Sequence, residues 1–152
     1  MQGNFLNRKE IKHILHQLEE QWGFTQDLDY AFFMNNQRRV ALVNKEFALV
    51  ADAKLRLNSL GLYFCELMEN GEVRLSIEGS QLVGPYATKN VVDVDFLTAK
   101  CWMYGEDLPL SLGDVTAFVI LKHGDYFLGC GRYKNGVVSN HVSKNRRIGT
   151  LE

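Results

Sequence analysis

The sequence predicts an α+β fold made of an N-terminal mixed unit, residues 1–83, followed by a strand-rich unit, residues 84–152. Three observations carry that expectation. One helical face runs through residues 7–22, two hairpin signals follow it, and from Val115 onward strand follows strand with tight turns between them.

In "NRKEIKHILHQLEEQW" Asn7 is placed as an N-cap and Glu10 three residues later completes a capping box. Ile11, Ile14, Leu15, Leu18 and Trp22 share a face at helical spacing, and Gly23 supplies the stop. "YAFFMNNQRRVALV" has two apolar runs around Asn-Asn-Gln and predicts a hairpin from Tyr30 to Val43. "KEFALVADAKL" reads as a short helix and "LRLN" as a period-two strand. "GLYFCELMENGEVRLSI" predicts a second hairpin turning at Asn70-Gly71. The Gly and Pro of "GSQLVGPYATKN" read as a turn or linker. Beyond it come a short strand "VVDV", a helix "FLTAKCWMY" capped by Asp95 and ended by Gly105, and the strands "VTAFVILK", "YFLGCGRY" and "VVSNHV". Turns at His123-Gly124-Asp125 and Asn135-Gly136 make these an antiparallel meander, suited to closing into a small barrel.

The 152 residues are 46% hydrophobic and 23% charged, and the formal net charge is -1, so no global field draws the chain to polyanions. The longest apolar runs, such as "FVIL" at 118–121, are too short to cross a bilayer, and "MQGNFLNRKE" lacks a signal-peptide layout; both favour a cytoplasmic protein without a membrane partner. Cys65, Cys101 and Cys130 match neither a disulfide framework nor a zinc pattern, and read as reduced, packed thiols. His13 and His16 share a helix edge but lack a third ligand, so no metal is expected. The acid pairs Glu19-Glu20, Asp27 with Asp29, and Glu106-Asp107 come without partners and read as solvated surface.

One segment stands apart. "LGCGRYKNGVVSNHVSKNRR" opens a stretch without an acidic residue from Tyr126 to Leu151, and concentrates Arg132, Lys134, Lys144, Arg146 and Arg147. Its glycines do not open a helix, which excludes a dinucleotide or P-loop cradle. Gly129 and Gly131 instead suit a bulge or close packing within a strand. Cys130 lies between them in an apolar strand and reads as a packing residue, not a nucleophile activated by His123 or His141. Asn140, His141, Ser143 and Asn145 interleave the cations with groups able to bond phosphate, ribose or base edges.

Several segments in order, "LNSLGLYFCEL", "VRLSIEG", "LVGPYA", "NVVDV", "YGEDL" and "DYFLGCG", resemble the small two-domain PUA proteins of the Nip-type ribosome-biogenesis group, over Ser59 to Gly131. The ending "GRYKNGVVSNHVSKNRR" is similar to the tail of the PUA-like RNA-binding module of Sun-family RNA cytosine-5 methyltransferases, with Ser143 where proline is expected. The chain lacks the cofactor motif of such an enzyme, so no catalysis and no cofactor are implied. The resemblance implies an N-terminal α/β pre-PUA domain followed by a C-terminal PUA-like β pseudobarrel. It also implies a non-catalytic RNA-binding role in rRNA or tRNA maturation or ribosome biogenesis. The implied site joins the loop after the first helix of the PUA unit, with backbone contacts at Gly105 and Leu108, to a late segment. That segment brings Lys144, Arg146 and Arg147, and the reading of the basic ending itself adds Arg132, Lys134, Asn140 and His141 to the RNA-binding set. Partners are then structured RNA and either ribosome-assembly proteins or a separate RNA methyltransferase. A different class of reading makes the chain a protein-interaction adaptor, with Trp22, Phe24, Phe32 and Phe33 as its contact surface.

Overall fold

The structure, a computed structural model, describes residues 3–50, 61–142 and 146–147. Two five-stranded sheets are joined through helices and through one continuous apolar core.

The first sheet has the order β1 (Gly3–Phe5), β2 (Ala31–Asn35), β3 (Arg39–Val43), β4 (Gly61–Leu67) and β5 (Val73–Leu75), all neighbours antiparallel. Helix α1 (Arg8–Trp22) covers it with Ile14, Leu18 and Trp22, all fully buried. The expected capping box is present: Asn7 Oδ1 accepts from the Glu10 N–H at 2.9 Å, and Glu10 Oε1 accepts from the Asn7 N–H at 3.0 Å. Gly23 ends the helix at φ 67°. Both hairpins form as the sequence predicts. Helix α2 (Lys45–Val50) covers the start of "KEFALVADAKL"; its remainder and "LRLN" lie outside the described residues.

Trp22, Phe24, Phe32 and Phe33 are no more than 3% exposed. The adaptor surface expected from them is therefore buried: Trp22, Phe24 and Phe32 lie in the shared core, and Phe33 packs in a small cluster with Val43, Phe5 and Ala31. A second correction concerns "GSQLVGPYATKN". The segment read as a turn or linker does turn, as a 3-10 helix at Gly84–Tyr86, but what precedes that turn is helix α3 (Ile77–Val83) and not a linker. Ser76 caps α3 by accepting from the Gly79 N–H at 2.9 Å. The small residues that suggest a linker serve close packing instead, since a side chain at Gly79 would strike the Phe64 carbonyl and one at Gly84 the Phe127 ring. Residues 88–90, next in the chain, are tied to α1. The Thr88 and Lys89 N–H groups and Asn90 Nδ2 donate to the end carbonyls of α1, Trp22 and Gln21, which a helix terminus leaves unpaired.

The second sheet has the order β6 (Val91–Asp93), β8 (Ala117–His123), β9 (Tyr126–Lys134), β10 (Val137–Ser139) and β7 (Leu108–Pro109). Strands β8, β9 and β10 form the expected meander. β6 joins β8 in parallel, which requires the crossover that α4 (Phe96–Met103) supplies. The sheet curls into a half-barrel. Asp95 caps α4 by accepting from the Thr98 N–H at 2.8 Å.

Core packing crosses from one sheet to the other: Phe118, Ile120 and Cys130 share a cluster with Trp22, Phe32, Phe64 and Val83. A second cluster, centred on Trp102, lies inside the curled sheet. The glycines of β9 explain how that sheet bends. The β8–β9 register slips between Leu121 and Lys122, and Gly129 beside the slip has φ 140°. A Cβ on Gly131 would meet the Trp102 ring at 2.8 Å and collide with the Ser139 carbonyl.

Candidate nucleic-acid interface

The β9–β10 hairpin sets the outward cations. Asn135 at φ 51° and Gly136 at φ 81° make the two-residue turn that matches strand twist. Along Gly131 to Lys134 burial alternates, so Gly131 and Tyr133 point inward and Arg132 and Lys134 point to solvent. The inward Tyr133 hydroxyl donates to the Gly113 carbonyl at 3.1 Å and accepts from the Leu112 N–H at 3.0 Å, which holds the strand's rotation. Neither Arg132 nor Lys134 has an ion-pair partner among the described residues.

The loop Gly105–Leu108 and the segment after β10 are bound together by Asn140. Its Nδ2 donates to the Trp102 carbonyl at 2.8 Å and to the Glu106 carbonyl at 3.0 Å. Its Oδ1 accepts from the Val142 N–H at 2.8 Å, and its own N–H donates to Asp107 Oδ1 at 2.7 Å. Asn140 thus contributes the shape of this surface, its amide being committed internally. Arg147 Nε donates to the Val142 carbonyl at 3.0 Å, and its guanidinium lies against Gly105, whose φ of 97° favours glycine and whose surroundings leave no space for a side chain. The loop and the late segment therefore meet on one side of the molecule. Leu108 is buried opposite Val138 in the β7–β10 ladder. Asp107 of the loop is engaged by the Asn140 N–H, and the Glu106 backbone N–H donates to the Cys101 carbonyl at 3.1 Å.

His141 is exposed at the wall of a neighbouring cleft. Partial desolvation, and then the Arg74 guanidinium, hold its pKa below the ordinary value, against the opposing pull of Asp107 and Glu66. Arg146 Nη1 pairs with Glu78 Oε1 at 2.6 Å. Lys144 and Ser143 lie outside the described residues.

The family model of the methyltransferase RsmF PUA domain matches residues 89–148, the span of β6 through β10 and the segment after it. Residues 89–148 are similar to that PUA domain, and the curled half-barrel sheet is consistent with a PUA-like fold. No curated protein matches the chain. A PUA domain is an RNA-binding module, and the outward cations of β9 and the Gly105 loop lie within the matched span.

Against this module rests a feature that the sequence patterning does not reveal. Arg39, Glu66 and Arg74 stand in register across β3, β4 and β5, with Glu66 Oε1 3.5 Å from Arg39 Nε and Glu66 Oε2 3.3 Å from Arg74 Nη2. The register slip between Val40 and Ala41 leaves Phe64 as an extra residue and puts Tyr63 on the same face as Glu66. The Arg39 guanidinium accordingly lies 5.8 Å from the Tyr63 ring centroid. Only strand register brings these residues together, and single-strand alternation carries no trace of it.

Among the described residues, no group of three or more His, Cys, Asp or Glu side chains could hold a metal, and no helix is long and apolar enough to cross a membrane. Cys130 is buried beside Cys65, and burial pushes its thiol up to about 12. Cys65 is raised for the same reason. Iodoacetamide at pH 8 is therefore expected to leave both thiols unmodified in the folded protein and to alkylate them after denaturation. Rapid native labelling of Cys130, read by peptide mass, would contradict its packing role.

Proposed function

We propose that this chain is a non-catalytic RNA-binding protein of the cytoplasm, acting on structured rRNA or tRNA during maturation or ribosome assembly. The observation that carries the reading is the match of residues 89–148 to a PUA domain, with Arg132 and Lys134 on its outer face. Cations there neutralise phosphates and fix the orientation of the RNA, while backbone groups of the Gly105 loop meet its shape. Residues 1–83 then act as a pre-PUA-like domain and 84–152 as the RNA-binding domain, as in the two-domain PUA proteins that the sequence resembles. Arg146 and Arg147 add positive charge beside the Gly105 loop.

A second reading makes the chain an RNA-binding helper of a separate RNA methyltransferase. It is favoured by the kind of PUA domain matched, that of a methyltransferase. Copurification of methyltransferase activity with the full chain distinguishes it from independent action.

The RNA site is tested by fluorescence anisotropy with a labelled RNA hairpin. Arg132→Ala/Lys134→Ala is expected to lower affinity about tenfold, each lost phosphate contact contributing a fraction of that. The variant's urea midpoint should stay unchanged, since both side chains are exposed. Unchanged RNA affinity in a folded variant would remove β9 from the site.

A further inference from the structure

We infer that the cleft between the first sheet and the module's last segment is a second phosphodiester-binding site, through which the N-terminal unit holds the RNA strand. The inference rests on the RNA-binding reading above. The cleft encloses about 200 Å³ and is lined by Arg39, Tyr63, Arg74, Glu78, His141 and Arg146, among others. That is several times the ~30 Å³ share of one water in the liquid, ample for a phosphate group.

Three guanidiniums converge there from three separate parts of the chain: β3, β5 and the segment after β10. Among the described residues, the carboxylates paired with these guanidiniums are Glu66 and Glu78, while Asp107 acts on the His141 side of the cleft and is held by the Asn140 N–H. Three guanidiniums therefore share two paired carboxylates, an arrangement suited to a phosphodiester anion. Glu66 takes one N–H group from each of Arg39 and Arg74, and a guanidinium has five in a rigid fork. Donors remain on both. The Tyr63 hydroxyl and the His141 ring make no hydrogen bond among the described residues, and both border the same space.

Position supports this occupant over a free anion. His141 directly follows Asn140, which braces the Gly105 loop, and Arg146 directly precedes Arg147, which lies against Gly105. The cleft is thus continuous with the module's own candidate RNA surface, and a strand lying on one is led toward the other. Arg74 and Glu66 are each 22% exposed, so water screens that pair less than it screens the free cations of β9, while Arg39 reaches further into solvent.

The test is an NMR titration of the full chain, following backbone amides and arginine Nε–Hε signals, with hexauridylate and separately with inorganic phosphate. Hexauridylate is expected to shift Arg39, Arg74 and Gly129 saturably, and inorganic phosphate far more weakly. Arg39→Gln/Arg74→Gln should lower RNA affinity about tenfold and reduce the salt slope by about 1. Tyr63→Phe leaves the ion row intact and serves if the double variant fails to fold; a loss of about threefold is expected from it. If hairpin RNA binds all these variants like wild type while Arg132→Ala/Lys134→Ala binds weakly, the cleft is no RNA site and the RNA-binding reading stands. Equal shifts with inorganic phosphate and none with RNA would make it a small-anion site and overturn the inference. Absence of RNA binding by the wild type overturns both.

Discussion

Asn140→Ala is expected to destabilise the chain by about 2–3 kcal/mol, a large effect for a residue in an irregular segment. The change removes both donors to the Trp102 and Glu106 carbonyls and the acceptor for the Val142 N–H. Two of those three bonds are partly buried, where an unpaired group costs about 1–3 kcal/mol, while the Glu106 carbonyl is exposed and can take water. Asn140→Asp keeps an acceptor for Val142 but turns a carboxylate toward two carbonyls, so it should be no better than alanine. Urea unfolding at constant slope measures both. A loss under about 0.5 kcal/mol would mean that the loop and the late segment are held together by something else.

Trp102→Ala is expected to cost about 3–5 kcal/mol, the range for deleting a buried aromatic. The side chain is fully buried, donates from Nε1 to the Leu128 carbonyl at 3.3 Å, and packs against the two glycines of β9. Those glycines have no side chains with which to fill the void. Phe118, Ile120 and Cys130 tie the curled sheet into the core of the first sheet, so thermal unfolding should remain a single transition at lower temperature. Loss of the near-ultraviolet circular dichroism in two separate steps would contradict a shared core.

Much of this architecture is legible in single segments, because the signals are local. Asn7, Glu10 and Gly23 bound α1 by capping chemistry, and Asn135-Gly136 makes its turn by adopting positive φ. Helix α3 is not legible in the same way. Gly79, Ser80 and Gly84 look like linker residues until Phe64 and Phe127 are placed against the two glycines. The candidate site divides likewise. Outward Arg132 and Lys134 follow from strand alternation, whereas the internal roles of Asn140 and Leu108, the ion pair of Arg146 and the bracing of Gly105 by Arg147 depend on contacts with distant residues. Arg39, Tyr63 and Arg74 escape a sequence reading altogether, since a bulge in β4 and the pairing of three strands assemble them.

The most direct test of RNA binding at the module's cationic face is the hairpin anisotropy titration repeated from low to physiological salt. Log affinity is expected to fall linearly with log salt, with a slope of about -2 to -4 for a few phosphate contacts. The slope should be shallower by about 1 to 2 in Arg132→Ala/Lys134→Ala. No binding by the wild type, or an affinity indifferent to salt and to both substitutions, would contradict RNA binding at this face.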